Sequence, residues 1–243
     1  MKKAIGYVYV IAAAVCWGFL GLFNRVLTAA GVSLLNMMPL RFGGTAILFT
    51  VFCMMFKQQV FHIKLRHLPI FLGSGLISML LFLCGCALVS GIVGSDVGIS
   101  LEGLLMGLAS ELCYGGYTIF THYGMRYCDS FTMAYWTFLI AGIASLFLAD
   151  GPALLSALAE PRTGLAALGL MVMGTALPFT LYTKGLETVE SGKAAIIANI
   201  EPVMSAVIGV TVFQETLGLW TLVGIVLVLS GVVVLACEKE PDK

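Results

Sequence analysis

Charged residues are scarce in this sequence. Asp, Glu, Lys and Arg together make up 11% of its 243 residues, whereas soluble globular domains contain about 25%. Hydrophobic residues make up 60%, and the mean hydropathy is +1.02. Basic and acidic residues balance at 13 each, so no excess of positive charge is available for nucleic acid. These shortages exclude a soluble domain, argue against a nucleic-acid partner and predict a protein that lies in a lipid bilayer.

Motifs that carry chemistry are also lacking. The seven Cys residues form no C-x-x-C pattern and no spacing with the three His residues that is typical of metal ligands. The sequence contains no phosphate-binding glycine loop and no recognisable nucleophile–base pair. We therefore expect no metal site, no cofactor and no enzymatic activity, and we interpret the Cys residues as small apolar packing groups.

Long apolar runs dominate what is present. A run of about 20 apolar residues is long enough to cross a bilayer as a helix, and no segment alternates like an outer-membrane strand. The sequence therefore predicts an all-α membrane protein, a polytopic bundle of eight transmembrane helices. The predicted spans are 4–27, 34–56, 68–93, 101–122, 130–149, 164–183, 192–213 and 217–237.

The basic residues predict the orientation of the spans. With the N-terminus in the cytoplasm, ten Lys and Arg residues fall in inside segments, two fall outside, and Arg41 lies within a span. An excess of Lys and Arg marks cytoplasmic loops. A miscount of one span would remove this bias, so we expect an even number of spans and both termini in the cytoplasm.

The sequence also repeats itself. At an offset of 97 residues, AAAVCWGFLGLFNR (12–25) aligns within LASELCYGGYTIFTH (108–122), with Cys16 on Cys113. The offset is 99 at Gly75 and 146 at Leu83, so 47 residues of the second half have no counterpart in the first. We interpret 1–93 as an incomplete repeat of three spans, 101–237 as a repeat of five spans and 238–243 as a cytoplasmic tail.

An odd number of spans in each complete repeat would invert the second repeat relative to the first, as in many secondary transporters. The first repeat is then shortened from five spans to three, with the junction between Phe82 and Leu83. We expect 68–93 to form one fused helix that packs against the second half and leaves an open lateral groove.

The motifs AxxCWG…LFNR, PLRFGG with Arg41, and NIEPVMSAVIG…FQETLG followed by LVGIVLVLSGVVVL resemble the EamA-type transporters of the drug/metabolite transporter superfamily. The resemblance implies an inverted 5+5 helix fold in the bacterial cytoplasmic membrane and the movement of small metabolites, often outward. This sequence departs from the family in its missing 47 residues and in Glu111, where related sequences usually carry a small residue.

The polar and aromatic residues inside the predicted spans are the candidates for substrate binding, because charges in hydrocarbon are costly and mark functional sites. Pro202 removes a backbone donor and predicts a helix kink. The candidate substrate-binding residues are Trp17, Arg41, Glu111, Tyr114, Tyr117, Asn199 and Glu201.

Each candidate has a structural alternative. Glu201 can line a central cavity, bind a cationic group or carry a coupling proton, or it can pair with Lys193, Lys184 or free backbone groups. Arg41 and Glu111 can pair, or each can be solvated separately. Trp17, Tyr114 and Tyr117 can line a pocket or simply pack between helices. We interpret Glu215 as a turn residue, and Tyr182 and Trp220 as interfacial anchors.

Two functions follow from this interpretation. The first is an inner-membrane permease or exporter of small metabolites, with alternating access around a cavity near Glu201 and a second copy of the chain completing the cavity as a homodimer. The alternative is a deletion remnant that inserts in the membrane but transports nothing.

Overall fold

A computed structural model describes residues 2–61, 63–89 and 101–237. Within these ranges the chain is almost entirely helical and forms no strand, as expected when backbone groups have no water to bind. The described α-helices are α1 (Lys2–Gly18), α2 (Leu20–Ala29), α3 (Leu34–Met38), α4 (Gly44–Phe56), α5 (Leu68–Val89), α6 (Leu101–Gly124), α7 (Ser130–Ser145), α8 (Gly151–Leu158), α9 (Pro161–Met171), α10 (Leu177–Gly185), α11 (Ser191–Ala198), α12 (Ile200–Phe213) and α13 (Leu219–Cys237).

Four composite helices in the described residues are long and apolar enough to cross a membrane. They are Ala4–Ala29, Leu35–Phe56, Pro161–Gly185 and Ser191–Phe213. Shorter apolar helices cover Leu68–Leu80, Ser130–Ser145 and Thr221–Val234, and α6 covers the remaining predicted span. The prediction of an all-α polytopic membrane protein is confirmed. The predicted tail, 238–243, lies outside the described residues.

Helix α5 corresponds to the fused helix that the sequence predicts for residues 68–93. It runs without a break from Leu68 to Val89, through the junction between Phe82 and Leu83, and it packs against α6 and α7 of the second half. The expected single helix and its packing are observed as far as Val89, and its crossing of the membrane stays a prediction. Residues 90–93 lie outside the described part, and the lateral groove stays a prediction.

Close backbone contacts hold the centre of the bundle together. A Cβ added to Gly142 of α7 would lie 2.9 Å from Cα of Gly43, and one added to Gly18 of α1 would overlap Met204 of α12. Small residues at such crossings let membrane helices approach closely. The buried core therefore lies where α1, α4, α7 and α10 meet, with Tyr117, Phe138 and Tyr182 among its largest side chains.

Helix α8 was not predicted. It begins after Asp150, whose side chain accepts a hydrogen bond of 3.3 Å from the backbone of Ala153, and it carries Pro152 in its first turn. An acidic N-cap followed by proline is a sequence signal for a helix start. The sequence contains this signal, but a hydropathy pattern that locates spans of about 20 residues does not detect a helix of eight residues.

Candidate substrate site between interrupted helices

Each of the four long spans contains an irregular turn. The first is interrupted at Phe19, between α1 and α2, and the last at Asn199, between α11 and α12. The second and third contain segments of π-helix, here named the first π-segment (Pro39–Gly43) and the second π-segment (Val172–Ala176). Single π-turns within helices are frequent at functional sites, and carriers build their sites from discontinuous helices.

The break at Asn199 has a local cause. In an α-helix the N–H of residue 202 would bind the carbonyl of Ala198, but Pro202 has no N–H and its ring displaces that carbonyl. Helix α11 ends at Ala198, and the N–H of Asn199 instead donates to Ile196 O at 3.2 Å. Proline therefore accounts for a turn placed three residues before it.

The two π-segments contact each other through Arg41. Its Nε donates a hydrogen bond of 3.2 Å to Oγ1 of Thr175, and the Thr175 hydroxyl donates to Leu170 O at 3.0 Å. Beside them, the Thr45 hydroxyl donates to Met171 O at 3.1 Å. The Nε–H of Arg41 is thus bound by a neutral hydroxyl on the facing span, and each π-segment supplies one partner of this bond.

Five aromatic residues form what we call the aromatic cluster: Trp17, Tyr114, Tyr117, Phe179 and Tyr182. The ring of Phe179 packs against two of the others, with centroid distances of 5.0 Å to Trp17 and 5.5 Å to Tyr117. Tyr114 and Tyr182 lie 6.4 and 5.3 Å from Trp17. These edge and tilted arrangements are favourable for aromatic pairs.

Arg41 adjoins this cluster. Its guanidinium carbon lies 6.0 Å from the Phe179 ring centroid and 5.7 Å from that of Phe42, distances at which a cation is attracted to an aromatic face. The structure therefore brings Arg41, Trp17, Tyr114 and Tyr117 to one region: Phe179 neighbours Arg41, Trp17 and Tyr117, and Tyr114 neighbours Trp17.

Three polar tips in the cluster lack a hydrogen-bond partner among the described residues. They are Nε1 of Trp17 and the hydroxyls of Tyr114 and Tyr117, all three buried. Thr121 and Thr183 lie beside the Tyr117 hydroxyl and Tyr182 lies beside that of Tyr114, but none of them completes a hydrogen bond with these hydroxyls. Because buried polar groups are almost always paired, these tips are available to a ligand or to water.

The remaining candidates are less closely associated. Glu201 is half-buried in the first turn of α12 and is near enough to Tyr114 to act on it electrostatically. Asn199 is exposed, and its amide donates to Ala195 O at 3.3 Å. The side chain of Glu111 lies outside the described part of the chain, so its pairing with Arg41 stays a prediction. Lys184, one suggested partner of Glu201, binds Glu187 at 2.6 Å.

The interpretation of Tyr182 as an interfacial anchor is wrong. Its side chain is fully buried in the core, and its hydroxyl lies 3.2 Å from Oγ1 of Thr118. It was misplaced because it lies near the end of its span, where tyrosines often face the membrane surface. Helical periodicity would have pointed to it, since Thr175, Phe179 and Tyr182 are separated by four and then three residues and so share one helix face.

At the predicted outer side, the C-terminal half of α2 is joined to the C-terminal end of α12. Arg25 of α2 contacts Glu215 at 2.5 Å and lies 4.4 Å from the ring centroid of Phe213. Helix α12 ends here because Gln214 adopts a left-handed conformation with φ of 56°, and the N–H of Glu215 then donates to Gly209 O. Glu215 is a turn residue, as predicted, and it also ties α12 to α2.

Comparison with known proteins places this arrangement in context. The chain is 26% identical over 174 residues to YwfM, an uncharacterized transporter of Bacillus subtilis, covering 70% of this chain and 57% of that protein. It is 26% identical over 154 residues to YicL, an uncharacterized inner membrane transporter of Salmonella typhimurium, covering 60% and 48%. It is 41% identical over 68 residues to an uncharacterized transporter of Archaeoglobus fulgidus, covering 28% and 25%.

The chain thus spans at most 57% of the length of these three relatives. Residues 101–237 match the EamA-like transporter family. This range includes the second π-segment, Phe179, Tyr182 and the interrupted helix with Pro202. Since the match extends over more than half of the chain, the protein belongs to the EamA-like transporter family.

Proposed function

We propose that this protein is a secondary transporter of small metabolites in the bacterial cytoplasmic membrane, with alternating access to a site formed by Arg41 and the aromatic cluster. The observation that carries the proposal is the contact of Arg41 with Thr175, which joins two π-segments beside that cluster. Family membership supports transport as the activity. The substrate site, direction and coupling are the proposed parts.

The chemistry of the site suits a small amphipathic molecule. Aromatic faces bind apolar or cationic parts of a ligand, and the unpartnered tips of Trp17, Tyr114 and Tyr117 offer hydrogen bonds. Arg41 can exchange Thr175 for an anionic substrate group, because a guanidinium binds an anion more strongly than a neutral hydroxyl. Glu201, near Tyr114, can bind a cationic group or a coupling proton.

The packing of the helices supports an inverted repeat. The sequence alignment pairs the first span with α6 and α5 with the span that contains α10. Helix α1 packs against α10 in the same way that α6 packs against α5, so exchange of the repeats maps one pair onto the other. The second span packs on α7, its own counterpart, as expected for elements beside the pseudo-symmetry axis.

The shortened first repeat favours a second candidate, a non-transporting remnant. In the second half, α11 and α12 pack against α1. The alignment places their first-half counterparts among the 47 missing residues, so the described residues offer α6 no equivalent of this packing. A homodimer would supply that wall from a second copy. Without it, the chain would insert and fold but not alternate.

Transport in cells that lack related carriers tests the proposal. We expect export or uptake of a metabolite by the wild-type chain, loss with Arg41→Met, and retention with the matched control Arg162→Gln, which removes a cation from the first turn of α9. Comparative metabolite profiling of cells and medium identifies the substrate.

A chain with a restored 47-residue insert separates the two candidate functions. Equal transport by both chains refutes the remnant. Transport by the restored chain alone refutes the proposal for this protein.

A further inference from the structure

A separate cavity lies at the other end of the bundle, at the predicted cytoplasmic side. Its volume is about 680 Å³, within the usual range of small-ligand sites, about 300–1,000 Å³. It is formed where α4 and α6 end and where α5 and α7 begin. Its lining residues are Lys57, Gln59, Ile63, Lys64, His67, Phe71, Arg126, Tyr127, Cys128, Asp129 and Thr132. None belongs to the aromatic cluster or to a π-segment.

Positive charge predominates in this cavity. Lys57, Lys64 and Arg126 face a single carboxylate, that of Asp129. This carboxylate already accepts hydrogen bonds from Lys57 and from the Thr132 hydroxyl, so its charge is compensated. In the described part of the chain, neither Lys64 nor Arg126 forms an ion pair. Two cations of the cavity are therefore available to an anion.

The neighbouring side chains add no further negative charge, and Tyr123 packs against one of the cations. Burial raises the pKa of the Cys128 thiol to about 11, with the Asp129 charge adding to the effect, so Cys128 is neutral at physiological pH. The guanidinium of Arg126 lies 5.2 Å from the ring centroid of Tyr123. The Tyr123 and Tyr127 hydroxyls are 3.0 Å apart, and the Tyr127 ring stacks on His67 at 4.4 Å.

The cavity also has an apolar wall. Phe71 is buried and packs against Trp136, whose Nε1 donates to Val60 O at 2.9 Å. Ile63 lies on the loop that closes the cavity. Cationic and apolar side chains thus line one cavity at the ends of membrane helices, the combination that a phosphate headgroup and its acyl chains would require.

We propose that this cavity binds the phosphate group of an anionic ligand through Lys64 and Arg126. Lys and Arg are the side chains that bind phosphate, Arg by paired hydrogen bonds and Lys as a point charge. Two sources of phosphate fit: the headgroup of an anionic phospholipid in the inner leaflet, and a soluble phosphate compound in the cytoplasm. Both would be held by the same two cations.

Binding to the purified full-length protein tests the proposal. The probes are short-chain phosphatidylglycerol, short-chain phosphatidylcholine of the same length, and inorganic phosphate, with affinities measured from the rise in unfolding temperature and from native mass spectrometry. We expect phosphatidylglycerol to bind and phosphatidylcholine not to. The double variant Lys64→Gln/Arg126→Gln should bind about 30-fold more weakly, since each cation near an anionic headgroup contributes about fivefold.

The matched control is Arg66→Gln/Lys184→Gln. It removes the same charge from the same predicted side of the membrane, but neither residue lines the cavity, and it should bind like the wild type. The charge-conserving variant Lys64→Arg/Arg126→Lys separates lost binding from lost folding and should retain most of the affinity.

Each outcome decides the proposal. Selective binding of phosphatidylglycerol identifies a lipid source, and binding of inorganic phosphate that the double variant weakens identifies a soluble source. Equal losses in the double variant and the control would mean diffuse surface charge and overturn the proposal. So would the absence of binding by the wild type, or equal binding of the charged and neutral lipids.

Discussion

At the scale of single residues, Arg41 is the residue of the candidate site whose charge is most costly to place in a membrane. An arginine at the centre of a membrane helix costs about 2.5–3.5 kcal/mol on insertion scales. Here Arg41 lies in the first π-segment, donates to Thr175 and faces the rings of Phe42 and Phe179. These contacts offset part of the cost, so Thr175 contributes to stability as well as to the proposed switching.

We expect Thr175→Val to destabilise the protein by roughly 1.5–3 kcal/mol, the usual value of a hydrogen bond to a charged group. Valine keeps the shape of threonine but cannot accept the bond from Arg41. Denaturant unfolding in detergent micelles measures the loss. The control is Thr211→Val, whose exposed hydroxyl bonds only to Val207 O within its own helix. A similar loss in both variants would contradict the assigned role of Thr175.

Asp129 gives the protein a dependence on pH. Partial burial alone would raise the pKa of its carboxyl, but hydrogen bonds from Lys57 and Thr132 and the charge of Lys57 outweigh burial, so the pKa lies below its ordinary value of 3.8. A lowered pKa in the folded state stabilises the fold above the ordinary pKa. This stabilisation declines as the pH falls below that value and is lost below the folded-state pKa.

We therefore expect Asp129→Asn to lower the unfolding temperature at pH 7 and to have a smaller effect at pH 3, which lies below the ordinary pKa of 3.8. The difference between wild type and variant should shrink on acidification, because both carry a neutral side chain in acid. Asp150→Asn, at the start of another helix, controls for general effects of acid. A difference that stays constant from pH 7 to pH 3 would show that the lost contact is not electrostatic.

At the scale of elements, the interrupted spans distinguish this bundle from a set of regular helices. The first π-segment packs against α7 with no side chain between them, since Gly142 faces the backbone of Gly43 and Phe42 at about van der Waals contact. A rigid backbone cannot give way as a flexible side chain can. The position of the first π-segment, and hence of Arg41, therefore depends on this glycine.

We expect Gly142→Ala to cost about 1–3 kcal/mol through overpacking, because its Cβ would lie 2.9 Å from Cα of Gly43 and 3.2 Å from the carbonyl carbon of Phe42. The same variant should reduce transport by moving Arg41 away from Thr175. Gly224→Ala is the matched control, since no heavy atom lies within 4 Å of a Cβ at that position. Equal stability of the two alanine variants would contradict overpacking at Gly142.

At the scale of the whole molecule, the spans and their loops predict one orientation in the membrane. We expect a green fluorescent protein fused after Lys243 to fluoresce, since it folds only in the cytoplasm. An alkaline phosphatase inserted in α8, after Ser156, should be active, since it requires the outer side. The reverse pattern would invert the topology and move the basic cavity to the outer face.

Hydropathy by itself determined that the chain is an all-α polytopic membrane protein, because a bilayer forces backbone groups into helices and excludes most charge from them. The same physics identified Arg41 as a functional candidate. The repeat alignment singled out Trp17 and Tyr114, which the fold places 6.4 Å apart, although the two residues are 97 positions apart in sequence.

Only the tertiary structure decided which residues meet in space. Phe179 and Thr175 lie in an apolar run with nothing to distinguish them, and Tyr182 was assigned to the interface, yet these residues surround Arg41 and Trp17. A π-turn depends on the balance between local helix geometry and contacts with neighbouring spans, which a local pattern does not contain. The basic cavity likewise combines side chains from two distant loops, so its charge becomes a site only when those loops fold together.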